Sequence, residues 1–413
     1  MTSRQQGRRA VVTGLGVVAP NGVGADAFWK ATRQGVSVLD RITREGCDGL
    51  PLRVAGQVRD FDPRAAIDSR YLVQTDRFTH YAMAAADLAV ADAGFHPDPE
   101  HPFAVGVVTA AGSGGGEFGQ RELQQLWGQG PQFVGPYQSI AWFYAASTGQ
   151  ISIRGGYKGP CGVVASDEAG GLDALAHAAR TIERGTDAVV AGAAEAPLAP
   201  YSMVCQLGYP EVSLAGQPDR AYLPFTAQAC GFAPAEGGAM LLLEDEQAAR
   251  RRGAAVRAHL AGHGSTFTGA SRWEESREGL AAAIRIALDE ARIAPEEIDV
   301  VFADALGVPA ADRAEALALA DALGPAAERV PVTAPKSGTG RAYCGAPLLD
   351  VAAAVLAMED GVLPPTPNVT EVSHDLALVT GRARPAELRT ALVLSRGLMG
   401  SNSALVLRCG DRP

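Results

Sequence analysis

GPCGVVASDEAGGLDAL, residues 159–175, decides the fold. It begins with a short apolar run that ends at Ala165 and has the length and β-branched content of a strand. Ser166-Asp167-Glu168 breaks the run, and Leu172, Leu175, Ala176, Ala179 and Ile182 then recur at helical spacing, giving a buried apolar stripe. A strand that turns sharply into a buried helix presents a side chain at the helix N-terminus, where free N–H groups and the helix dipole favour a nucleophile or an anion. The spacing puts Glu168 on the first turn of that helix. Gly170 and Gly171 weaken the helix by about 1 kcal/mol each relative to alanine, so close packing or ligand approach is expected against them.

Working outward, strand-like runs lie at 10–18, 103–109, 162–165, 188–193 and 239–243, with helices at 77–93 and 168–184 between them. After a polar stretch at 244–252 the pattern restarts. Strands are expected near 256–262, 299–303, 330–333, 390–394 and 404–407, with helices at 274–291, 311–323 and 347–359. Alternation of this kind predicts a layered α/β fold. GLDALAHAARTIERG (171–185) is faintly repeated in PLLDVAAAVLAMEDG (347–361), each an Ala-rich helix closed by glycine. The chain therefore divides into two similar halves, 1–252 and 253–413, and residues near 168 and 341 should face one site.

The 413 residues, 47% of them hydrophobic, are enough for a sizeable core. A net charge of -10 argues against a nucleic-acid or anionic-membrane surface. No apolar run reaches the length of a membrane span, and the basic start of the chain passes into a strand without a signal-like core, so a cytoplasmic protein is expected. Six scattered cysteines without a CxxC pair predict reduced thiols, with no disulfide framework and no metal site. Cys161, inside the expected strand, reads as a small core residue. AGSGGGEFG (111–119) lacks the Lys-Ser/Thr of a phosphate loop and the spacing of a dinucleotide fingerprint.

Several segments together resemble the β-ketoacyl synthases: AVVTGLGVVAPNG, the corner with GLDA, RAYLPFTAQACGFAPAEGGAMLLLE, VFADALGVPAADRAEA, APKSGTGRAY and GLMGSNSALVL, in order along nearly the whole chain. AWFYAASTGQISIRGG (141–156) and EAGGLDAL are most similar to the chain-length factor, or ketosynthase β subunit, of bacterial type II polyketide synthases. The resemblance implies a thiolase-type fold of two duplicated βαβαβ halves in an αβαβα core. In an active ketosynthase the corner carries a cysteine nucleophile, assisted by two histidines. Here those positions hold Glu168, Asp304 and Arg341, so no catalytic residue is expected. A carboxylate nucleophile would form a mixed anhydride, and the loss of one donor to a developing oxyanion costs roughly 10²- to 10³-fold.

The resemblance also implies roles elsewhere. Lys336 and Asp350 match a buried structural ion pair. Glu236-Gly237-Gly238, Gly400 and Asn402 match glycine-rich loops, and Phe225 an aromatic expected to line a remnant cavity. Gly116, Gly119 and Leu123 match the gate of the tunnel that limits polyketide length, and two glycines and a leucine there imply a long product. The strand Gly162, Val163, Val164, Ala165 and Ser166 is expected to pair with a ketosynthase α subunit. The expected visitors are an acyl carrier protein, which brings the phosphopantetheine, and the growing polyketide chain; no bound cofactor is expected. Glu168 itself is expected to be held by helix N–H groups and Arg341 as a structural carboxylate. Two rival functions remain, a malonyl-carrier-protein decarboxylase that primes the synthase and a ketosynthase-like homodimeric scaffold.

Overall fold

The computed structural model describes residues 7–269 and 272–410. Strands of the first half are β1 (Ala10–Ala19), β2 (Val105–Ala110), β3 (Cys161–Val164), β4 (Ala188–Glu195) and β5 (Gly237–Asp245). Those of the second half are β6 (Ala258–Phe267), β7 (Val300–Phe302), β8 (Pro331–Thr333), β9 (Thr390–Arg396) and β10 (Ser401–Cys409). The principal helices are α1 (Arg77–Asp92), α2 (Gly116–Gln129), α3 (Ala146–Gly155), α4 (Gly170–Glu183), α5 (Ser276–Ala291), α6 (Pro309–Leu323) and α7 (Gly345–Asp360).

In the first half the strand order is β3-β2-β4-β5-β1, and in the second it is β8-β7-β9-β10-β6, the same order shifted by five. The directions repeat as well. β3, β2 and β4 are mutually parallel while β5 runs antiparallel to β4 and β1. β8, β7 and β9 are parallel, and β10 runs antiparallel to β9 and β6. The faint repeat in the sequence is thus a duplication of the whole topology. The halves join where β1 meets β6, antiparallel, at Val11↔His259 and Val12↔Ala258.

Helices α4 and α7 lie between the two sheets and touch strands of both, while α1 and α3 cover the outer face of the first sheet and α5 that of the second, with α6 packed against α5. This gives five layers, α-β-α-β-α. The central position explains the composition of α7, whose residues from Gly345 to Met358 are all buried. A helix that is apolar all round belongs inside a core. β1, β4 and β5 are buried at every residue, as strands covered on both faces must be.

Gly171 is fixed by this packing, since a Cβ there would stand 2.3 Å from the carbonyl oxygen of Cys344. Close approach of α4 to the start of α7 therefore demands a glycine. Several expectations are corrected. Helix α4 starts at Gly170, so Glu168 precedes it in a turn instead of standing on its first turn. β3 pairs only with β2 and leaves its other edge open, with exposure alternating along it; Cys161 is exposed and not in the core. Ala165 and Ser166 lie beyond the strand. The polar stretch at 244–252 ends β5 and forms a short helix, Glu246–Arg251. Gly237 and Gly238 open β5 and do not form a loop; Glu236 before them is buried, accepting the Val58 N–H at 2.9 Å and pairing with Arg44.

Candidate functional site

The corner between β3 and α4 is built on Asp167, which holds a left-handed φ of 58°. Its Oδ2 accepts the Met399 N–H at 2.6 Å, and its carbonyl accepts the Gly170 N–H and the Cys344 thiol, the latter at 3.0 Å. These bonds hold a conformation that aspartate tolerates better than most residues. The next residue, Glu168, turns inward and is 1% exposed. Its Oε2 accepts from Arg341 Nε at 2.9 Å, and the same oxygen lies 2.8 Å from Arg341 Nη2. Helix N–H groups do not hold it: Oε1 is buried without a hydrogen-bond partner among the described residues.

Arg341 stands in the loop after β8, tied to the neighbouring loop by its own N–H to Ala233 O at 2.8 Å and by Ala235 N–H to its carbonyl. Its guanidinium bridges Glu168 and Asp304, with Nη2 2.9 Å from Asp304 Oδ1, and donates to the carbonyls of Asp304 and Arg396. Asp304 follows β7 and accepts from Arg396 twice, from its N–H at 2.9 Å and from Nε at 3.1 Å. Arg396, the last residue of β9, reaches on to Glu315 Oε2 at 2.9 Å. Lys336 Nζ lies 2.5 Å from Asp350 Oδ2 and 3.2 Å from the carbonyl of Asp304. All seven of these charged residues, Glu168, Asp304, Glu315, Lys336, Arg341, Asp350 and Arg396, are buried.

Arg396, Glu315 and Asp312 were not among the sequence candidates. The available signal was a pair of acids three residues apart on an otherwise Ala/Leu-rich helix, and an arginine closing an apolar strand. Asp312 is also buried and accepts the N–H groups of Phe225 and Gly307. With Asp312 included, five carboxyl groups face three cations. Burial pushes Glu168 and Asp312 up to about 7 and Asp350 up to about 6, and it raises Glu315 as well. Burial acts in the same direction on Asp304, but Arg341, Arg396 and Lys336 outweigh it and hold that carboxyl below the usual range. The surplus acids thus share protons near neutrality, which brings the buried cluster close to charge balance.

The corner position is filled by a buried carboxyl group held by Arg341. The Cys344 thiol beside the corner is driven well above its ordinary value by burial and by Glu195, so it is no thiolate. His263 Nε2 contacts both Asp173 and Ser403, 3.0 and 2.9 Å away, through one ring nitrogen, which ties α4 to β6 and β10 and is not the two-sided geometry of a Ser-His-Asp relay. Among the described residues no cluster of His, Cys, Asp and Glu is placed to hold a metal ion.

The remaining positions resolve as follows. Phe225, at φ 60°, is fully buried edge-on to His374 within the second half's core, so it lines no open cavity. Gly400, at φ 103°, turns the chain into β10, and Asn402 donates to its carbonyl at 3.2 Å. The N–H groups of Gly112 and Ser113 in the glycine-rich loop are taken by the buried carboxyl group of Glu195, which burial pushes up to about 7 and which occupies the place where a phosphate loop would hold its ligand. On α2, a Cβ at Gly116 would stand 2.2 Å from Ser202 Oγ, so that space is already filled, whereas Gly119 has nothing closer than Trp142 Cβ at 3.7 Å. Leu123 is 41% exposed.

The comparisons agree with this geometry. The family model for the β-ketoacyl synthase N-terminal domain matches residues 7–249, and that for the C-terminal domain matches residues 257–370. The chain is 73% identical over 407 residues to a "putative polyketide beta-ketoacyl synthase 2" of Streptomyces coelicolor, covering 98% of this chain and 96% of the relative. It is 52% identical over 402 residues to the "tetracenomycin polyketide synthase ketoacyl synthase beta subunit" of Streptomyces glaucescens, covering 96% and 98%. Among solved structures, the ishigamide ketosynthase/chain length factor superposes with a TM-score of 0.87 at 29% identity, covering 98% of this chain and 99% of that one. With its duplicated five-layer thiolase-type core and family matches over most of its length, the chain belongs to the β-ketoacyl synthase family.

Proposed function

We propose that this chain is the non-catalytic β subunit, or chain-length factor, of a type II polyketide synthase, pairing with an active ketosynthase α subunit and shaping the space in which the polyketide grows. The observation that carries the reading is the sealed network at the corner, where Glu168, Asp304 and Arg341 bind one another at the positions that match the family's cysteine and histidines. Glu168 Oε2, both Asp304 oxygens and the Arg341 guanidinium are all spent on buried neighbours, and Glu168 Oε1 is enclosed with them. The matches to a ketosynthase β subunit and to a ketosynthase/chain length factor support the same reading.

The open edge of β3 supports pairing. A strand with one free edge offers a ladder to another chain. Val163 on this strand and Ile153 on α3, which packs against it, are exposed, as are Trp142 and Phe143 ahead of α3, an amount of exposed apolar surface unusual for a protein that works alone. In this reading the partner supplies the nucleophile, the acyl carrier protein supplies the phosphopantetheine-bound substrate, and this chain carries no cofactor or metal. The lack of a side chain at Gly119 and the exposed Leu123 favour a long product, while Ser202 replaces Gly116 as the wall of the gate. No helix of the described residues is long and apolar enough to cross a membrane, and all six cysteines are unpaired; the thiols support a cytoplasmic location.

A decarboxylase that primes the synthase is the second reading, favoured by Glu168, whose carboxyl is pushed up to about 7 and so carries a proton in part at neutral pH. Its enclosure and its bond to Arg341 weigh against access to a thioester. The deciding experiment co-expresses this chain with its ketosynthase α, supplies malonyl-loaded carrier protein, and compares native Glu168 with Glu168→Ala. The chain-length reading expects both acetyl formation and product length to be retained by the variant, and defined-length product to vanish without this chain. Loss of acetyl formation in a correctly assembled dimer would transfer the role to the decarboxylase.

A further inference from the structure

β1 and β6 pair over only two residue pairs, after which the sheets part and leave a cleft of about 700 Å³ between α4, β6, β10 and the residues entering β1. It lies toward the C-terminal end of α4. Arg180 on its wall stands ten residues past Gly170, the start of α4, about 15 Å at the rise of an α-helix, so the cleft is separate from the corner.

Its lining is basic in a chain whose net charge is -10. Five arginines, Arg8, Arg9, Arg180, Arg292 and Arg408, face two glutamates, Glu183 and Glu290. Arg8 is paired with Asp187, Arg408 reaches Glu297 only at 3.9 Å, and Glu290 accepts the His263 N–H. Arg9, Arg180 and Arg292 have no ion pair among the described residues. They come from three different elements: the entry to β1, helix α4 and the end of α5. Arg292 adds a backbone signal. It takes a left-handed φ of 53° at the C-terminus of α5, a position where glycine is usual, so a long cationic side chain is kept at a conformational cost.

We infer that this cleft binds a small molecule carrying a diphosphate group. Three exposed guanidinium groups without an ion pair among the described residues line one cleft from separate elements, which favours a ligand of more than one negative charge, and their planar forks match phosphate oxygens. Ala176, Ala179 and Leu405 supply apolar wall for an organic moiety. The volume is that of a small-molecule site.

The test is calorimetric titration of the purified full-length chain, alone or with its co-expressed partner, with inorganic pyrophosphate and with ADP at near-physiological salt. Binding of either, weakened at least tenfold in Arg180→Glu/Arg292→Glu with unchanged thermal unfolding, supports the site; tighter binding of ADP identifies an organic diphosphate, and equal binding a free one. If the double variant does not fold, Arg9→Ala serves, with the same loss expected. Failure of both anions to bind below millimolar concentration, or binding indifferent to the substitutions, overturns it. So does a result in which only an acidic carrier protein loses affinity, which would assign the arginines to a protein partner.

Discussion

Asp167 and Tyr343 stand at the two corners that lead into the paired central helices, both in the left-handed region with φ of 58° and 44°, and each is followed by a buried side chain, Glu168 and Cys344. The Cys344 thiol closes the pair by donating to the Asp167 carbonyl at 3.0 Å. Duplication of the fold has placed two strained corners back to back, and the strain is held by bonds between them. A corner built to expose a nucleophile here points a carboxylate into an arginine.

Thiol labelling of the folded chain should divide the cysteines by position. Cys161, Cys205 and Cys230 are exposed and should react with iodoacetamide, while Cys47 and Cys344 are buried and should not. Cys161 lies on the open edge of β3 and should lose its reactivity in the complex with the ketosynthase α subunit. Mass spectrometry of labelled peptides measures both, and a Cys161 equally reactive in the complex would remove β3 from the interface.

Arg341→Ala should destabilise the chain by about 3 kcal/mol or more, because it strips Glu168 of its only cation and Asp304 of one of two arginines inside the core. Arg341→Lys keeps the charge without the fork and should fall between. Urea unfolding gives the values, and a loss below about 1 kcal/mol for the alanine variant would mean that the network contributes little.

The pH dependence of stability carries the mark of Glu168. Its carboxyl titrates at about 7 when folded against an ordinary 4.5, so the folded chain binds the extra proton between those values. This contribution is full below pH 4.5 and is lost as pH rises to 7. Glu168→Gln removes the titration, and its stability relative to the native chain should rise across that window by up to about 1.4 kcal/mol per pH unit. Parallel unfolding curves at pH 5 and 7.5 test the sign; a native chain that gains on the variant as pH rises contradicts it.

Product length should respond to α2 unevenly. Gly119 is buried, but a Cβ there would meet only the Trp142 and Gln138 side chains, at 3.7 and 3.9 Å, so Gly119→Phe should shorten the polyketide at a smaller cost in stability than Gly116→Phe, which must displace Ser202 and should lower stability before it alters length. Product mass and melting temperature, read together, separate the two. An unchanged product with Gly119→Phe would take α2 out of the gate.

Much of this was legible in the residue order. Continuous apolar runs marked β1, β4 and β5 because strands covered on both faces need no polar alternation, and the Ala- and Leu-rich run of α7 marked a helix. Local pattern could not tell that the short run at Cys161 forms an edge, since a four-residue strand with one partner reads like one with two. The same blindness hid Arg396, Glu315 and Asp312, whose partners lie far off in sequence, and the occupation of Gly116 by Ser202 from another helix.

The sequence by itself determined the α/β alternation, the duplication and the replacement of the family's catalytic residues by Glu168, Asp304 and Arg341, because each of these is written in residue identity and spacing. Tertiary structure alone showed that Asp304 and Arg396 join the expected Glu168–Arg341 pair in one network, and that the surplus acids share protons. Such properties depend on distance through space and on exclusion of water, and neither is carried by any local stretch of chain.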